Sequence, residues 1–434
     1  MCPLPLPLLL LIIPIVRTQY ISPIPSHPAS TEISAIYHAP NSWLSELSAP
    51  KISAVNTSAF EWWYFDAISA TNPNVSAAFT FFTASPSAFP LAPRNASSIV
   101  WSVGFVSLPS LSGSPGEPGE GSGDEDSATH RARQSGSEGR VVSEIGVSGE
   151  VEGEGEGVVL GDGRGWNVGF WEGLGGWVAS FPSPPGSPLG QGMGKSRVKP
   201  AALFSGQQHG APASTARYAH RAAASAPSGT NIDVWVGWEG SRISGRLRLE
   251  NATSPRTACS TTSRFDPSLR LGPIGWANIV PHAKASVDLV VDGEVLGFEG
   301  YGYHDKNWSE RPFHTQIRKW FWGHAHVGPY SVVWFQATPQ NGTVPFGSAS
   351  ILKDGVPVLG GCEAGIVSVQ RLGSPASPGF GVEVVMRGVR LVVSGTREVA
   401  GDGVRFFRWA GLVQGVILGD DVGGGVALFE EFEL

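Results

Sequence analysis

Residues 60–66 read Phe-Glu-Trp-Trp-Tyr-Phe-Asp, so five aromatic side chains and two carboxylates fall within seven positions. Aromatic residues favour β-strands, and successive side chains of a strand point to opposite faces. One face then carries Phe60, Trp62, Tyr64 and Asp66, and the other carries Glu61, Trp63 and Phe65. Each face combines aromatic rings with an acid, which is typical of a core strand with paired carboxylates or of a pocket wall.

The same strand signature recurs along the chain, as short runs of Val, Ile, Phe, Trp and Tyr bounded by Gly, Pro, Asp and Asn. Asp-Gly pairs at 292–293, 354–355 and 402–403 lie between such runs and predict hairpins. Helical periodicity is almost absent. We therefore predict an all-β protein built from sandwiches or up-and-down barrels.

The 434 residues exceed one ordinary core and favour two packed β domains. Residues 265–275 contain two prolines and two glycines and are the predicted linker. It would separate an N-terminal domain over 35–265 from a C-terminal barrel over 276–434. Residues 111–140 and 182–229 are rich in Gly, Ser and Pro, and we expect two disordered insertions in the first domain.

The beginning of the chain resembles a secretory leader, because residues 4–16 are apolar apart from prolines and too short to span a bilayer. We expect a signal peptide over 1–18 and a protein that enters the secretory pathway or is secreted. Cys259 and Cys362 could form one disulfide there, or remain two buried thiols. Glycosylation is predicted at the sequons of Asn56, Asn74, Asn95, Asn251 and Asn341.

Several function classes find no support. The net charge is −7 and no Lys/Arg-rich run is long enough to bind a phosphate backbone, so nucleic acid is not an expected partner. No nucleophile elbow or dinucleotide fingerprint is present. The spacing of His324 and His326 can chelate a metal, but the carboxylate that such a site needs does not follow. We expect no metal and no cofactor.

A second aromatic and polar segment, residues 300–308, reads Gly-Tyr-Gly-Tyr-His-Asp-Lys-Asn-Trp and predicts an irregular loop with polar groups near apolar walls. Downstream, alternation places Trp320, Trp322, His324 and His326 on one strand face. The following strand offers Trp334. An interior lined by Trp and His is better suited to holding a ligand than to close packing, so we expect residues 60–66 and 300–308 to line one pocket. Asn307 is also a sequon, and a glycan there would place this segment in solvent.

Residues 61–66, followed about 240 residues later by 302–308, resemble the family that joins bacterial hydroxyneurosporene synthase, kievitone hydratase and the fungal Diels-Alderases. Residues 281–287 look like the strand with which that family enters its second domain. The resemblance covers residues 35–434 apart from the two insertions. It implies two lipocalin-like β domains with the ligand between them.

The resemblance implies either water addition and removal or [4+2] cycloaddition on polyketide-derived intermediates. A cycloaddition needs an aromatic wall and a donor to the dienophile carbonyl, for which Tyr64, Asn307 and His324 are candidates. A hydratase needs an acid and a base, which Glu61 or Asp66 with His304 and Asp305 would supply. The predicted catalytic residues are Glu61, Tyr64, Asp66, His304, Asp305 and Asn307. The predicted substrate-binding residues are Trp62, Trp63, Trp308, Trp320, Trp322, His324 and Trp334.

We expect a pericyclase that closes a ring in a polyketide-derived polyene of fungal secondary metabolism, such as a decalin or a cytochalasan-type isoindolone. The partner is then an apolar small molecule, with other enzymes of one biosynthetic pathway. A hydratase or dehydratase, a hetero-Diels-Alderase and a non-catalytic lipocalin-like carrier are the alternatives.

Overall fold

The computed structural model describes residues 20–24, 27–30, 32–39, 44–94, 98–109, 140–147, 157–161, 166–171, 174–180, 231–238, 240–374 and 379–434. The predicted signal peptide, the sequon Asn95 and the two predicted insertions, apart from Arg140, lie outside these residues. No helix among the described residues is long and apolar enough to cross a membrane.

Two antiparallel sheets contain most of the described chain. The strands of the first are β1 (Tyr20–Ile24), β2 (Phe60–Ser69), β3 (Ser76–Ala84), β4 (Val100–Ser107), β5 (Val141–Val147), β6 (Gly157–Gly161), β7 (Trp166–Trp171), β8 (Gly175–Ser180), β9 (Asn231–Val236), β10 (Ile243–Glu250), β11 (Arg256–Thr257), β12 (Arg270–Leu271), β13 (Ile274–Val291) and β14 (Glu294–Ser309). The strands of the second are β15 (Ile317–Val327), β16 (Tyr330–Pro339), β17 (Phe346–Lys353), β18 (Val356–Gly361), β19 (Val367–Leu372), β20 (Gly381–Met386), β21 (Val389–Gly401), β22 (Phe406–Ile417) and β23 (Asp420–Glu433). Two short helices complete the described elements, Leu44–Ser48 and Phe313–Gln316.

The order of strands in the first sheet, as far as the structure describes it, is β1-β6-β7-β8-β9-β10-β13-β14-β2-β3-β4-β5, and β11 and β12 pair with β13. The second sheet has the order β18-β17-β16-β15-β23-β22-β21-β20-β19. The predicted all-β class with two lipocalin-like β units is confirmed, and each unit is a curled sheet.

The division of the chain between the sheets differs from the predicted domain boundary. Strands β13 and β14 belong to the first sheet, and the chain passes to the second at the helix Phe313–Gln316. Val287, Leu289 and Val291 of β13 are buried in the core of the first sheet. The Pro and Gly residues of 265–275 mark the turn around β12 and not a linker, because apolar alternation on β13 commits that strand to the first core.

Residues 300–308 are the end of strand β14 and not the predicted irregular loop. Their glycines are needed for close packing within the sheet: a Cβ atom on Gly300 would collide with the carbonyl oxygen of Ile68, and one on Gly302 would collide with Leu249. Glycine in a strand can mark a place where another backbone approaches closely, and not only a loop. The glycines of residues 300–308 mark such a close approach.

Three large clusters and one small cluster of buried residues lie in the interior of the described chain. One lies within the first sheet and includes Trp63 and Phe65. A second lies within the second sheet and includes Phe321 and Trp334. The third joins the two sheets, and its members include Phe60, Trp62, Trp276, Phe313, Trp320, Trp322 and Phe335. Alternation along β2 and β15 therefore sends neighbouring aromatic residues into different cores.

Cys259, between β11 and β12, forms a disulfide with Cys362, which follows β18. The bridge thus ties a segment that pairs with the first sheet to the second sheet. Both cysteines pack against the cluster between the sheets. The disulfide fixes one side of the junction that contains Trp62 and Trp320.

The predicted glycosylation sites differ in exposure. Asn251 and Asn341 are exposed, and Asn56 and Asn74 are half-buried. Asn307 is only 1% exposed, and its side-chain nitrogen lies 3.4 Å from the carbonyl oxygen of Gly275. A glycan at Asn307 is incompatible with this fold, whereas glycosylation of the other sites stays a prediction.

Candidate functional site

A cavity of about 270 Å³ lies between the two sheets. Its walls come from β2, β3, β4, β5 and β14 of the first sheet and from β15, β21, β22 and β23 of the second. Aromatic side chains dominate the lining: Trp62, Phe82, Phe89, Trp101, Phe105, Trp320, Trp322, Phe406 and Phe432. The polar lining consists of Tyr64, Thr80, Ser143, Asp305, Asn307, Asp402, Arg408 and Glu430. A mostly apolar cavity with few converging polar groups is typical of a small-molecule site.

Strands β2 and β14 form one wall because they are antiparallel neighbours. Tyr64 pairs with Asp305 and Trp62 pairs with Asn307 in this ladder. Paired residues of adjacent strands project from the same face, so these four side chains reach the cavity together. The structure thus brings together one half of each predicted segment.

The other half of each segment faces the core of the first sheet and not the cavity. Trp63 and Trp308 belong to that core. Glu61 forms a buried ion pair with Lys306 and accepts a hydrogen bond from the backbone nitrogen of Lys51 at 2.6 Å. Burial raises the pKa of Glu61, and Lys306 opposes this. The predicted cavity roles of Glu61, Trp63 and Trp308 are therefore wrong, since strand alternation turns them to the opposite face.

His304 is also a core residue. Its ring stacks on Phe65 with centroids 4.0 Å apart, and its Nδ1 lies 2.8 Å from the carbonyl oxygen of Tyr64. Burial lowers the pKa of His304 to about 3, so the imidazole is neutral at physiological pH. Because Asp305 points to the cavity, the predicted His304–Asp305 acid–base pair does not exist.

Two other predicted binding residues lie outside the cavity lining. Trp334 is buried in the core of the second sheet. His324 is 5% exposed and lies behind the wall, stacked on Tyr303 with ring centroids 5.0 Å apart. Trp320 and Trp322, on the same face of β15 as His324, do line the cavity. The predicted alternation of β15 is thus correct, but its Trp/His face meets the other sheet and does not line the inside of a barrel.

Asp305 is the buried acid of the cavity. Its Oδ2 accepts hydrogen bonds from Trp276 Nε1 at 2.8 Å and from the Tyr303 hydroxyl at 2.9 Å. Burial raises the pKa of Asp305 to about 7; the two hydrogen bonds act against the shift, and Glu430 and Asp66 add to it. A carboxylic acid that is partly protonated at neutral pH can donate a proton or a hydrogen bond.

Behind Tyr64 lies a chain of polar contacts that crosses between the sheets. The Tyr64 hydroxyl donates a hydrogen bond to Asp66 Oδ2 at 2.7 Å. The same oxygen lies 3.0 Å from His324 Nε2 on the second sheet. Asp66 is fully buried, and its Oδ1 has no hydrogen-bond partner in the described part of the chain. Burial raises the pKa of Tyr64 well above its usual value, so the phenol stays protonated.

Arg408 and Glu430 are cavity residues that the sequence reasoning missed. Arg408 Nε donates to Glu430 Oε2 at 2.9 Å, and Trp320 Nε1 donates to Glu430 Oε1 at 3.1 Å. The guanidinium carbon lies 4.7 Å from the centre of the Tyr64 ring, a cation–π contact. Arg408 Nη1 is buried, and none of the described residues forms a hydrogen bond with it.

A sequence signal for these two residues exists. Arg408 lies in Phe-Phe-Arg-Trp and Glu430 in Phe-Glu-Glu-Phe, each a charge among aromatic residues of a strand. Residues 60–66 show the same pattern. Their pairing could not be read from either segment alone, because it depends on β22 and β23 being neighbours in the sheet.

The amino-acid sequence of this chain is similar to a known family model and to several fungal proteins. Residues 231–370 match a family model described as Diels-Alderase-like. The chain is 25% identical over 346 residues to the quinolone epoxide rearrangement protein asqO of Emericella nidulans, covering 77% of this chain and 70% of that protein. It is 31% identical over 204 residues to the quinolone epoxide rearrangement protein penF of Penicillium thymicola, covering 44% of this chain and 56% of that relative.

A shorter match, 24% identical over 134 residues, is to the Diels-Alderase mycB of Thermothelomyces thermophilus, with 28% of this chain and 30% of that protein covered. The crystal structure of CghA with Sch210972 superimposes with a TM-score of 0.57 at 15% identity, over 95% of this chain and 98% of CghA. That likeness shows a shared fold. The family resemblance predicted from residues 61–66 and 302–308 is confirmed.

Proposed function

We propose that this chain, a relative of the Diels-Alderase-like family, is an isomerase that closes a ring in an apolar polyene by [4+2] cycloaddition. Polyketide-derived polyenes of fungal secondary metabolism are the proposed substrate class. One observation carries the proposal: the cavity between the sheets is walled by aromatic rings and is lined by the Arg408 guanidinium, whose Nη1 has no hydrogen-bond partner among the described residues.

Such a cavity suits a cycloaddition because the reaction needs no nucleophile. A cavity that binds a flexible polyene with its diene next to its dienophile removes much of the entropic part of the activation barrier. Trp62 and Trp322 are buried on opposite sheets and present flat apolar surfaces to a bound polyene. Ring faces and edges also pack well against conjugated double bonds.

Arg408 is the proposed group that polarises the dienophile carbonyl. Its Nη1 has no acceptor among the residues that the structure describes, so a substrate oxygen within reach would supply a hydrogen-bond partner. A cationic donor in a dry site stabilises developing negative charge on oxygen strongly. Asn307, which also lines the cavity, is a second donor for the same oxygen.

A hydratase is supported less well. Two of the residues that would supply its acid and base, His304 and Glu61, lie on the far face of the wall within the first core. Only Asp305 of the set lines the cavity.

A second candidate reaction, rearrangement of an epoxide, has a specific observation in its favour. Asp305 has a pKa raised to about 7, chiefly by burial, and a protonated carboxyl can open an epoxide by donating to its oxygen. The two quinolone epoxide rearrangement proteins are relatives of this chain. Both candidate reactions are isomerisations of unchanged mass.

The location of the protein remains a proposal. Entry into the secretory pathway is supported by the apolar residues 4–16 and by the disulfide between Cys259 and Cys362. A tryptic map of the protein from its native host would test the location through glycans on Asn251 and Asn341.

The decisive experiment incubates the purified full-length chain with a linear triene that carries an enone dienophile, and follows products by mass and NMR. An isomer of unchanged mass with a new cyclohexene ring, formed faster than in buffer, is the expected result. A product heavier by one water would overturn the proposal in favour of a hydratase. An aryl epoxide run in parallel decides between the two isomerisations.

A further inference from the structure

A cycloaddition needs no proton transfer, yet strands β2 and β14 of the cavity wall present two separate acid–base groups. One is Asp305, held by Trp276 and Tyr303. The other is Tyr64, which has Asp66 and His324 behind it. Tyr64 and Asp305 are paired residues of adjacent strands, so both groups reach the same part of the cavity.

The hydrogen bonds fix the direction in which each group can act. Tyr64 gives its only hydroxyl hydrogen to Asp66, so its oxygen lone pairs remain for an acceptor role toward a ligand. His324 Nε2 lies 3.0 Å from the same Asp66 oxygen and comes from the opposite sheet. Among the described residues the other oxygen of Asp66 is buried without a hydrogen-bond partner, so both polar contacts of this carboxylate converge on Oδ2.

We propose that the site also shifts a double bond of its substrate, converting a β,γ-unsaturated ketone into the conjugated α,β-unsaturated ketone. This inference rests on the proposed function, because conjugation with a carbonyl creates the polarised alkene that the cycloaddition requires. Tyr64 and Asp305 are its catalytic residues. Asp66 and His324 act through Tyr64 as positioning residues.

The step balances as two proton transfers. The C–H bond at the α-carbon breaks, its proton goes to Tyr64 Oη, and the hydroxyl proton of Tyr64 passes to Asp66 Oδ2. The released electron pair gives a dienolate. The dienolate oxygen accepts a hydrogen bond from Arg408. Asp305 then delivers its proton to the γ-carbon, which forms the new C–H bond and restores the carbonyl. After the product leaves, the proton that Tyr64 Oη took from the α-carbon passes to water in the cavity, and the buried Asp66 returns its proton to Tyr64 Oη. Water in the cavity reprotonates Asp305, which restores the starting state.

The electrostatics of the wall favour both transfers. The Arg408 guanidinium lies 4.7 Å from the Tyr64 ring and within the same buried group, so it stabilises a dienolate formed there. Two carboxyl groups in different environments are the usual arrangement for one base and one acid. Asp66 accepts two hydrogen bonds on one oxygen, whereas Asp305 is the carboxyl whose pKa is raised to about 7 by burial.

The test uses a linear β,γ-unsaturated methyl ketone with an apolar tail, incubated with the full-length protein in D2O. Formation of the conjugated ketone is followed by ultraviolet absorbance, and the position of deuterium by NMR. We expect isomerisation above the buffer rate, with one deuterium at the γ-carbon. Absence of isomerisation would overturn the inference, and isomerisation without deuterium at the γ-carbon would remove Asp305 as the donor.

Variants assign the residues. Tyr64→Phe keeps the ring and should lower isomerisation by about 10²–10⁴-fold, the usual contribution of a general base. Asp66→Asn should lower it as well and increase the primary isotope effect with the α-deuterated ketone, since proton abstraction becomes rate-limiting. A variant that is merely less stable would show no such change. The matched control is Asp288→Asn, an exposed carboxylate on β13, and equal loss in that control would overturn the assignment.

A fully conjugated triene enone in parallel assays separates this inference from the proposed function. Wild-type protein that cyclises the conjugated substrate but leaves the β,γ-ketone unchanged would overturn the double-bond shift alone. Isomerisation of the ketone without cyclisation of the triene would overturn the proposed function alone.

Discussion

His304 and Asp305 are consecutive residues of β14 whose side chains lie in different environments: His304 stacks on Phe65 in the core of the first sheet, and Asp305 lines the cavity between the sheets. The strand thereby separates a neutral imidazole from a carboxyl group that can be protonated near neutral pH. The chemistry of the wall consequently depends on Asp305 and its partners and not on the histidine.

A structural role for His304 predicts that His304→Phe stays active. The variant keeps the stacking on Phe65 but loses the contact between Nδ1 and the Tyr64 carbonyl oxygen, so we expect a loss of about 1 kcal/mol in the free energy of unfolding. Cyclisation turnover should change less than about threefold, well below the loss typical of a general base. Urea unfolding and turnover assays measure both. Loss of turnover in a folded His304→Phe variant would show that His304 takes part in catalysis. The control is His314→Phe, at an exposed position.

The contribution of Asp305 to the free energy of unfolding should decrease as the pH rises. Its pKa in the folded protein, about 7, lies above the ordinary value of 3.8, so the folded state binds a proton more tightly than the unfolded chain. This contribution is fully present below pH 4 and is lost as the pH rises through 7, at up to about 1.4 kcal/mol per pH unit. Asp305→Asn removes it.

Urea unfolding of wild type and Asp305→Asn at several pH values between 4 and 8 measures the difference. We expect the stability of wild type relative to the variant to decrease across this range. A difference that increases with pH would contradict the raised pKa. Any reaction that uses Asp305 as an acid should likewise slow above pH 7 in wild type only.

Arg408 should matter for turnover more than for substrate binding. Arg408→Met alone leaves Glu430 buried without its ion pair, which costs about 3–5 kcal/mol of stability. The double variant Arg408→Met/Glu430→Gln avoids that cost and should remain folded, with turnover lowered about 10²-fold through loss of the donor to the carbonyl. Product formation by mass spectrometry, together with thermal unfolding, separates the two effects.

Arg405, exposed in the hairpin before β22, provides the matched control as Arg405→Met. It should leave both stability and turnover near wild type. Wild-type turnover in the folded Arg408→Met/Glu430→Gln variant would show that the carbonyl is polarised by another group.

The buried pair of Glu61 and Lys306 should be purely structural. Lys306 is fully buried, donates a hydrogen bond to the carbonyl oxygen of Ala49 at 2.9 Å, and lies 3.6 Å from the centre of the Trp63 ring. Burial lowers the pKa of Lys306 to about 7, although Glu61 opposes this. Lys306→Met should therefore destabilise by about 3–5 kcal/mol because it isolates the buried Glu61 carboxylate.

Adding Glu61→Gln should recover much of that loss, since neither buried position would then be charged. Chemical unfolding of the single and double variants measures the recovery, with exposed Lys284→Met as the control. Loss of catalysis in a stable double variant would contradict the structural role. A double variant no more stable than Lys306→Met alone would show that the ion pair is not what the single substitution breaks.

The sequence by itself determined which side chains share a face. Alternation is a local property of the extended backbone, so it correctly grouped Trp62 with Tyr64, and Trp320 with Trp322. It also determined the all-β class, because β-branched and aromatic runs between turn residues have no helical alternative here. The glycines of β14 led to the wrong prediction of a loop at residues 300–308. The need for glycine at position 300 comes from close packing against Ile68 on another strand, which the local sequence does not show.

Only the tertiary structure decided which face meets the other sheet. Both faces of residues 60–66 are aromatic and acidic. Either face would therefore gain a similar free energy from burial in the first core or between the sheets. For this reason the local sequence could not distinguish the environment of Glu61 from that of Asp66. The choice follows from the ladder of β2 with β14 and from the packing of β15, β22 and β23 opposite them. Those long-range contacts bring Arg408 against Tyr64 and His324 against Asp66, and thereby create the acid–base wall of the cavity.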